Sequence, residues 1–461
     1  MKKLLAMMLA LVMALGVTTM AWAEQPVVAK MGGNTYTDLH TALEAAVNGG
    51  TVELLGDVTL TGTWTPVGTS NAPFKGTFDG KGYTITGLNI PTNDNEYVGL
   101  IGMLDGGTVK NVKFASVSVN GKDDVGTAVG RIINGGTVSG VQVLGGTVSG
   151  AKRVGGVVGS IKANGTVSDC TNAAVVTAND RNAGGIVGSA YYTVTGQQMY
   201  ITNCVNNGAV TASGVCGGIV SLSAANVSRN TNTAAVKGTE VGGIVGEQKS
   251  YGSVTNNTNS GAVTNTGDGT YGAGGIIGWL RYHGTSEASA YEVSEIISVT
   301  GNKNSGSVTG GNDAGGIVGT VYNSAVIMNN KNTATSFSAA TFAAGIVGNY
   351  QTVETPAAEA PALNKLTFGS DNTSTTPLEQ ITANCIDLRI YTNGNRIIEE
   401  VVPDPTPEQP PRYYYNSTTT TDTKADGTKG SPKTFDAGVG IYALTADLSV
   451  TGMACVGKKK F

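Results

Sequence analysis

Charge is scarce in this chain: Lys, Arg, Asp and Glu make up 13% of its 461 residues, and the net charge is -4. Binding nucleic acid through its phosphates needs clustered cations. No basic stripe interleaved with aromatic residues occurs, so nucleic acid is excluded as a partner. Histidine occurs only as His40 and His283, far apart and away from cysteine, which removes the usual donor set of a transition-metal site. The 5 cysteines show no C-x-x-C spacing, so neither a zinc or redox motif nor a disulfide framework is indicated. No metal and no cofactor is expected.

Glycine, by contrast, is abundant, at 67 residues spread along the chain, which points to repeats and not to several unrelated domains. At the N-terminus Lys2 and Lys3 precede an apolar run from Leu4 to Val17, and Ala21-Trp22-Ala23 supplies a small-x-small cleavage pattern. Read as a membrane anchor, that run falls short of the about 20 residues a span requires. Residues 1–23 are therefore expected to be a signal peptide, with the mature chain starting near Glu24.

Residues 24–73 read as an N-terminal cap. Thr37 can cap a short helix whose apolar positions Leu39, Ala42, Leu43, Ala46 and Val47 recur at helical spacing until Asn48-Gly49-Gly50. Val52, Leu54, Val58 and Leu60 then alternate as in strands, with Gly56-Asp57 as the turn.

Residues 74–350 carry the dominant signal. The stretches YVGLIG at 97, VGTAVG at 125, VGGVVG at 154, AGGIVG at 183, CGGIVS at 216, VGGIVG at 241, AGGIIG at 273, AGGIVG at 314 and AAGIVG at 343 form one column of nine copies, about 30 residues apart. Between them lies V-x-x-[NC]-x-N-x-x-x-V, from Val167 to Val176, Ile201 to Val210, Val227 to Val236, Val254 to Val263 and Val299 to Val308. A sixth copy runs from Ile327 to Ser336. Its inner asparagines are Asn172, Asn206, Asn232, Asn259, Asn304 and Asn332, whereas the two earlier turns carry Phe114 and Val143 there.

Two short β-rich segments per period cannot bury a core alone but do so by stacking. The expected fold is all-β: a parallel β-solenoid (β-helix) of about ten turns with a short N-terminal capping helix. Glycine suits corners that need positive φ or close backbone approach, and identical amides stacked along the axis can hydrogen-bond from turn to turn. Ile186, Ile244, Ile317 and Ile346 are expected to point inward, with Val187, Val245, Val318 and Val347 facing the other way. Cys170 and Cys204 hold the same repeat position and are expected as two neighbouring reduced thiols.

The GGIVG blocks, together with FKGTFDGKGYTITGLNI at 74–90, resemble the GLUG-motif repeat proteins found among bacterial surface proteins and adhesins. The resemblance covers residues 74–349 and implies a repetitive extracellular β-rod. The family has no shared catalytic residue to carry over.

Residues 351–402 read as a C-terminal cap or linker, and 403–430 as a Pro/Thr-rich stalk with almost no aliphatic residue. Residues 431–461 hold Ser431-Pro432-Lys433-Thr434-Phe435, an apolar stretch and a Lys458-Lys459-Lys460 tail, an order that resembles a Gram-positive sorting signal. Pro432 and Thr434 match the motif, whereas Ser431 and Phe435 depart from it. Sortase cleavage and a retained membrane span both stay open, and Asp447 is costly in the latter.

Catalytic chemistry is sparse. GAGGIIG at 272–278 lacks the helix a phosphate cradle needs, and GEQKS at 246–250 is no P-loop. Asp123-Asp124 reads as a solvated turn, and Asp94, Asn95 and Glu96 lack a recognised calcium spacing. The stacked columns hold nearly all Gly, Val, Ile, Asn, Ser and Thr, so chemical variety is expected in insertions, above all 280–298. There Arg281, Tyr282, His283 and Tyr291 are the candidate ligand contacts. Tyr191, Tyr192 and Trp279 are aromatic residues that could stack on sugars or anchor loops.

The leading functional expectation is a cell-surface binding or display protein, an adhesin-like scaffold without enzymatic activity. It would be a monomeric rod that meets a host, glycan or cell-surface ligand and is tied to the envelope through its C-terminus. A β-helix carbohydrate-active enzyme is the alternative, requiring a groove with carboxylates or basic residues gathered from adjacent turns. A purely structural envelope component is the third.

Overall fold

The computed structural model describes residues 26–91, 94–191, 198–249, 252–267, 271–281, 297–322, 325–351, 366–368, 371–375 and 398–399. The expected signal peptide, the expected stalk and the segment holding Pro432 and Thr434 lie outside the described residues.

The chain enters through a short hairpin, Ala29–Met31 with Asn34–Tyr36, and a helix α1 (Leu39–Ala45). Leu39, Ala42 and Leu43 of α1 are buried, as its apolar spacing requires. The cap is Asp38 and not Thr37: its carboxylate accepts the Thr41 N–H at 2.7 Å. Asp38 wins because its extended backbone places a short carboxylate over the free amides of the first turn. The hairpin strand Ala29–Met31 pairs antiparallel with Thr51–Leu54, which in turn begins a parallel stack.

From there each turn visits four parallel sheets. Sheet 1 gathers three-residue strands such as Thr137–Ser139 and Thr166–Ser168, and Val109, Val138, Val167, Ile201, Val227, Val254, Val299 and Ile327 pair in one row. Sheet 2 holds the very short strands that carry the inner asparagines. Sheet 3 pairs Val176, Val210, Val236, Val263 and Val308. The next partner of Val308 is Phe337, so the sixth copy is one residue longer than the spacing to Ser336 implies. Sheet 4 has nine strands, one for each glycine block, from Ile101–Asp105 to Val347–Gln351. Past Tyr350, the described strands Leu366–Phe368 and Thr373–Ser374 extend sheets 1 and 2.

The motif Asn256-Asn257-Thr258-Asn259 shows why asparagine is so frequent. Asn256 forms the corner between sheets 1 and 2 with φ 56°, a left-handed conformation repeated at Asn111, Gly140, Asp169, Asn203, Gly301 and Asn329. Asn and Asp tolerate it better than other residues with a Cβ. Asn259 belongs to the expected ladder: Asn172, Asn206, Asn232, Asn259, Asn304 and Asn332 donate in sequence from Nδ2 to the next Oδ1 at 2.8–3.0 Å. Each of the first five also donates to the carbonyl two residues on in its own turn. Asn257 belongs to a second ladder, Asn230, Asn257, Asn302, Asn330 and Asn372, in which the Oδ1 of each of the last four accepts both the backbone N–H and the Nδ2 of the turn before, at 2.9–3.0 Å. Cys170 and Cys204 precede it in the same row, as buried free thiols. Burial, then the neighbouring Cys170, raises the Cys204 pKa, so it stays a thiol.

The ladder dictates the glycine block. A Cβ on the second glycine, as at Gly185, Gly218 or Gly243, would overlap both the ladder amide and a glycine carbonyl of the next turn. Where the row carries Val143 instead of asparagine, the matching position is Thr127. None of these second glycines has positive φ, so close approach alone selects them.

The isoleucine and valine of each block do not divide between inside and outside: Ile186, Val187, Ile244, Val245, Ile317, Val318, Ile346 and Val347 are all 0% exposed. Strand alternation does not apply across the bend between Gly184 and Val187. The arm of sheet 3 also folds back on sheet 4, and a Cβ on Gly188 would overlap the Arg153 backbone.

Replacing Asn259 by Val removes one bond from each of Asn232 and Asn304, while both keep bonds within their own turns. The expected loss is about 2 kcal/mol, one net hydrogen bond on each side, read from urea denaturation. An unchanged midpoint would show that the ladder carries no stability.

Candidate functional site

The fold-back of sheet 3 on sheet 4 makes a narrow cleft along the stacked turns, most of whose facing side chains are buried. The residues just before and just after each glycine block, i and i+7, face each other across it. Asp313 and Thr320 show the geometry, with the Thr320 hydroxyl donating to the Asp313 carboxylate at 2.7 Å. The other pairs at this spacing are Asp124/Arg131, Arg153/Ser160, Asn182/Ser189, Val215/Leu222, Glu240/Glu247, Gly272/Trp279 and Phe342/Asn349. Chemical variety therefore lies in the stacked columns themselves, against the expectation that insertions alone carry it.

Asp123 and Asp124 are not a solvated turn. Asp124 is 0% exposed and pairs with Arg131 and with Arg153, whose Nε lies 2.5 Å from Oδ1. Arg153 also reaches Asp123 at 2.6 Å, and the Arg131 guanidinium lies over the Tyr97 ring, 4.3 Å from its centre. Burial and the adjacent Asp124 raise the Asp123 pKa despite Arg153.

Farther along, Glu240 and Glu247 face each other at 4% exposure each. Burial, then Glu247, pushes the Glu240 pKa well above its ordinary value, opposed by Arg281 and Lys249. Glu247 lies 3.3 Å from Arg281 Nε and 3.4 Å from Lys249 Nζ. Arg281 in turn covers the Trp279 ring at 3.5 Å, and Tyr271 packs on Trp279. Arg281, the described member of the expected contact loop, thus sits in the cleft; Tyr282, His283, Tyr291 and Tyr192 lie outside the described residues. His40 stands apart, against Trp64 in the N-terminal cap.

Between these two clusters the cleft opens into a hollow of about 170 Å³, lined by Lys152, Arg153, Lys162, Arg181, Asn182, Ser160, Ser189 and Tyr191 among others. Burial, then Arg131, lowers the Lys162 pKa. Lys249 approaches the Tyr191 ring from the next turns, 5.3 Å from its centre. Among the described residues, no three His, Cys, Asp or Glu side chains converge as a metal site. No described helix is long and apolar enough to cross a membrane.

No family model matches the chain. It is 40% identical over 89 residues to halomucin of Haloquadratum walsbyi, a stretch that is 16% of this chain and 1% of halomucin, so the chain spans about a hundredth of that relative. A solved structure described as a "putative immunoglobulin A1 protease" from Bacteroides ovatus overlaps 66% of this chain and 78% of its own, at 16% identity. Its TM-score is 0.33, at which the likeness carries no argument.

The Glu240–Glu247 pair has a pH signature. Above the ordinary carboxyl value of 4.5 and below its raised one, folded Glu240 keeps a proton that the unfolded chain has released. Stability therefore falls as pH rises through that window and is unaffected below it. Glu240→Gln is expected to match the parent in melting temperature below the ordinary carboxyl value of 4.5 and to exceed it by a margin that grows as the pH rises above that value. Parallel profiles for the two proteins would contradict a shared proton.

Proposed function

We propose that this protein is an exported, surface-displayed β-solenoid that binds ligands along its cleft and performs no chemistry on them. The observation that carries the reading is the line of i/i+7 pairs, which places a changing set of charged, polar and aromatic side chains on a repeating scaffold. The resemblance to GLUG-motif surface proteins, the signal-peptide pattern and the sorting-signal-like tail support display at the envelope; the local identity to halomucin fits a repetitive exported chain.

A polysaccharide-cleaving enzyme is the second reading, favoured by two facing carboxyl groups beside Trp279 and Arg281. Retaining glycosidases hold their two carboxyls about 5 Å apart and inverting ones farther. Glu240 and Glu247 are almost fully buried, and burial with the neighbouring Glu247 favours the protonated form of Glu240, which suits a structural role better than attack on a sugar. Screening the full chain on glycan and host-protein arrays tests the binding reading. Saturable binding to a defined ligand supports it, and an absence of binding on both arrays overturns it.

A further inference from the structure

The geometry points to the hollow beside Lys162 and Arg181 as a subsite for the acidic group of a sugar, a carboxylate or sulfate on an extracellular polysaccharide. This inference rests on the binding reading above and names the ligand class of the same cleft. Four cations, Lys152, Arg153, Lys162 and Arg181, line the hollow, and no acidic side chain does. Lys152 is met by Asp180 at 3.4 Å and Arg153 by Asp123 and Asp124. Lys162 and Arg181 have no ion-pair partner among the described residues.

A half-buried ammonium in that setting is costly without a counter-charge. Burial and then Arg131 depress the Lys162 pKa, opposed in part by Asp124, and a bound anion would raise it. At about 170 Å³ the hollow fits one charged group and part of a ring, not a drug-sized ligand. Ser160 and Ser189 stand in its wall as hydroxyl partners, and Tyr191 joins them in the lining. The sparse charge elsewhere argues against a nucleic-acid polyanion.

The test measures binding of the full chain to three probes by calorimetry: oligogalacturonate for the carboxylate, sulfated dextran oligosaccharide for the sulfate, and plain dextran as the neutral control. The parent should bind at least one acidic probe at least tenfold more tightly than dextran. The double variant Lys162→Gln/Arg181→Gln should lose at least tenfold of that affinity, with an unchanged circular dichroism spectrum. Lys162→Arg/Arg181→Lys should retain it, and Lys113→Gln in sheet 2 should leave it unaltered. Equal affinity for dextran, or an acidic-probe affinity that survives the double Gln variant, overturns the subsite. If array ligands still bind the double variant as well as the parent, only the subsite falls. If the parent binds no probe and no array ligand, the scaffold reading falls with it.

Discussion

Asp124→Asn should be among the most damaging single changes in the protein, at about 3 to 5 kcal/mol, the range for removing one partner of a buried charge pair. Asp124 is fully buried between Arg131 and Arg153, and these are 12% and 29% exposed, so part of their charge reaches water. That exposure places the expected loss near 3 kcal/mol. Arg153→Gln should cost less, because Arg131 still answers Asp124. Urea unfolding of the two variants checks the order; an Asp124→Asn protein as stable as the parent would mean that the cluster is solvated after all.

Gly243→Ala is the second large effect, at about 3 kcal/mol, the upper end of the usual cost of overpacking. The added methyl would collide with the Gly275 carbonyl, whose residue is tied to the next turn through its N–H to the Gly315 carbonyl, and with the Asn259 amide, which the ladder holds in place. Because stability in a stacked array depends on each interface, separation of two turns should propagate to their neighbours. Replacing Asn259 as well should not rescue the protein, since the backbone clash remains. Thermal melts read the loss, and a Gly243→Ala protein that melts like the parent would rule out the close approach.

Much of this architecture was legible as repetition. Nine glycine blocks became nine strands of sheet 4, and the row from Asn172 to Asn332 became a hydrogen-bonded ladder starting after Phe114 and Val143, as the column spacing required. The second ladder was visible only as the alternation of Asn and Cys in one position, because a pattern does not reveal which amide stacks and which turns a corner. The four-sheet turn was hidden because strands of two or three residues leave too short an alternation to count. The cleft was missed for a different reason. Asp124 and Arg131, or Glu240 and Glu247, are seven residues apart, a spacing that belongs to neither helix nor strand and acquires meaning only once the glycine block folds the chain back on itself. The helix cap went to Asp38 instead of Thr37 for a local reason, the backbone angle at residue 38, which composition does not encode.

The claim that this scaffold binds without cleaving meets its most direct test when the purified full chain is incubated with immobilised acidic and neutral polysaccharides while both bound protein and released sugar are measured. The expected result is retention of the protein on an acidic polymer, with no new reducing ends and no unsaturated sugars in solution. Steady release of either product, abolished by Glu240→Gln or Glu247→Gln, would contradict the claim and make the cleft an active site.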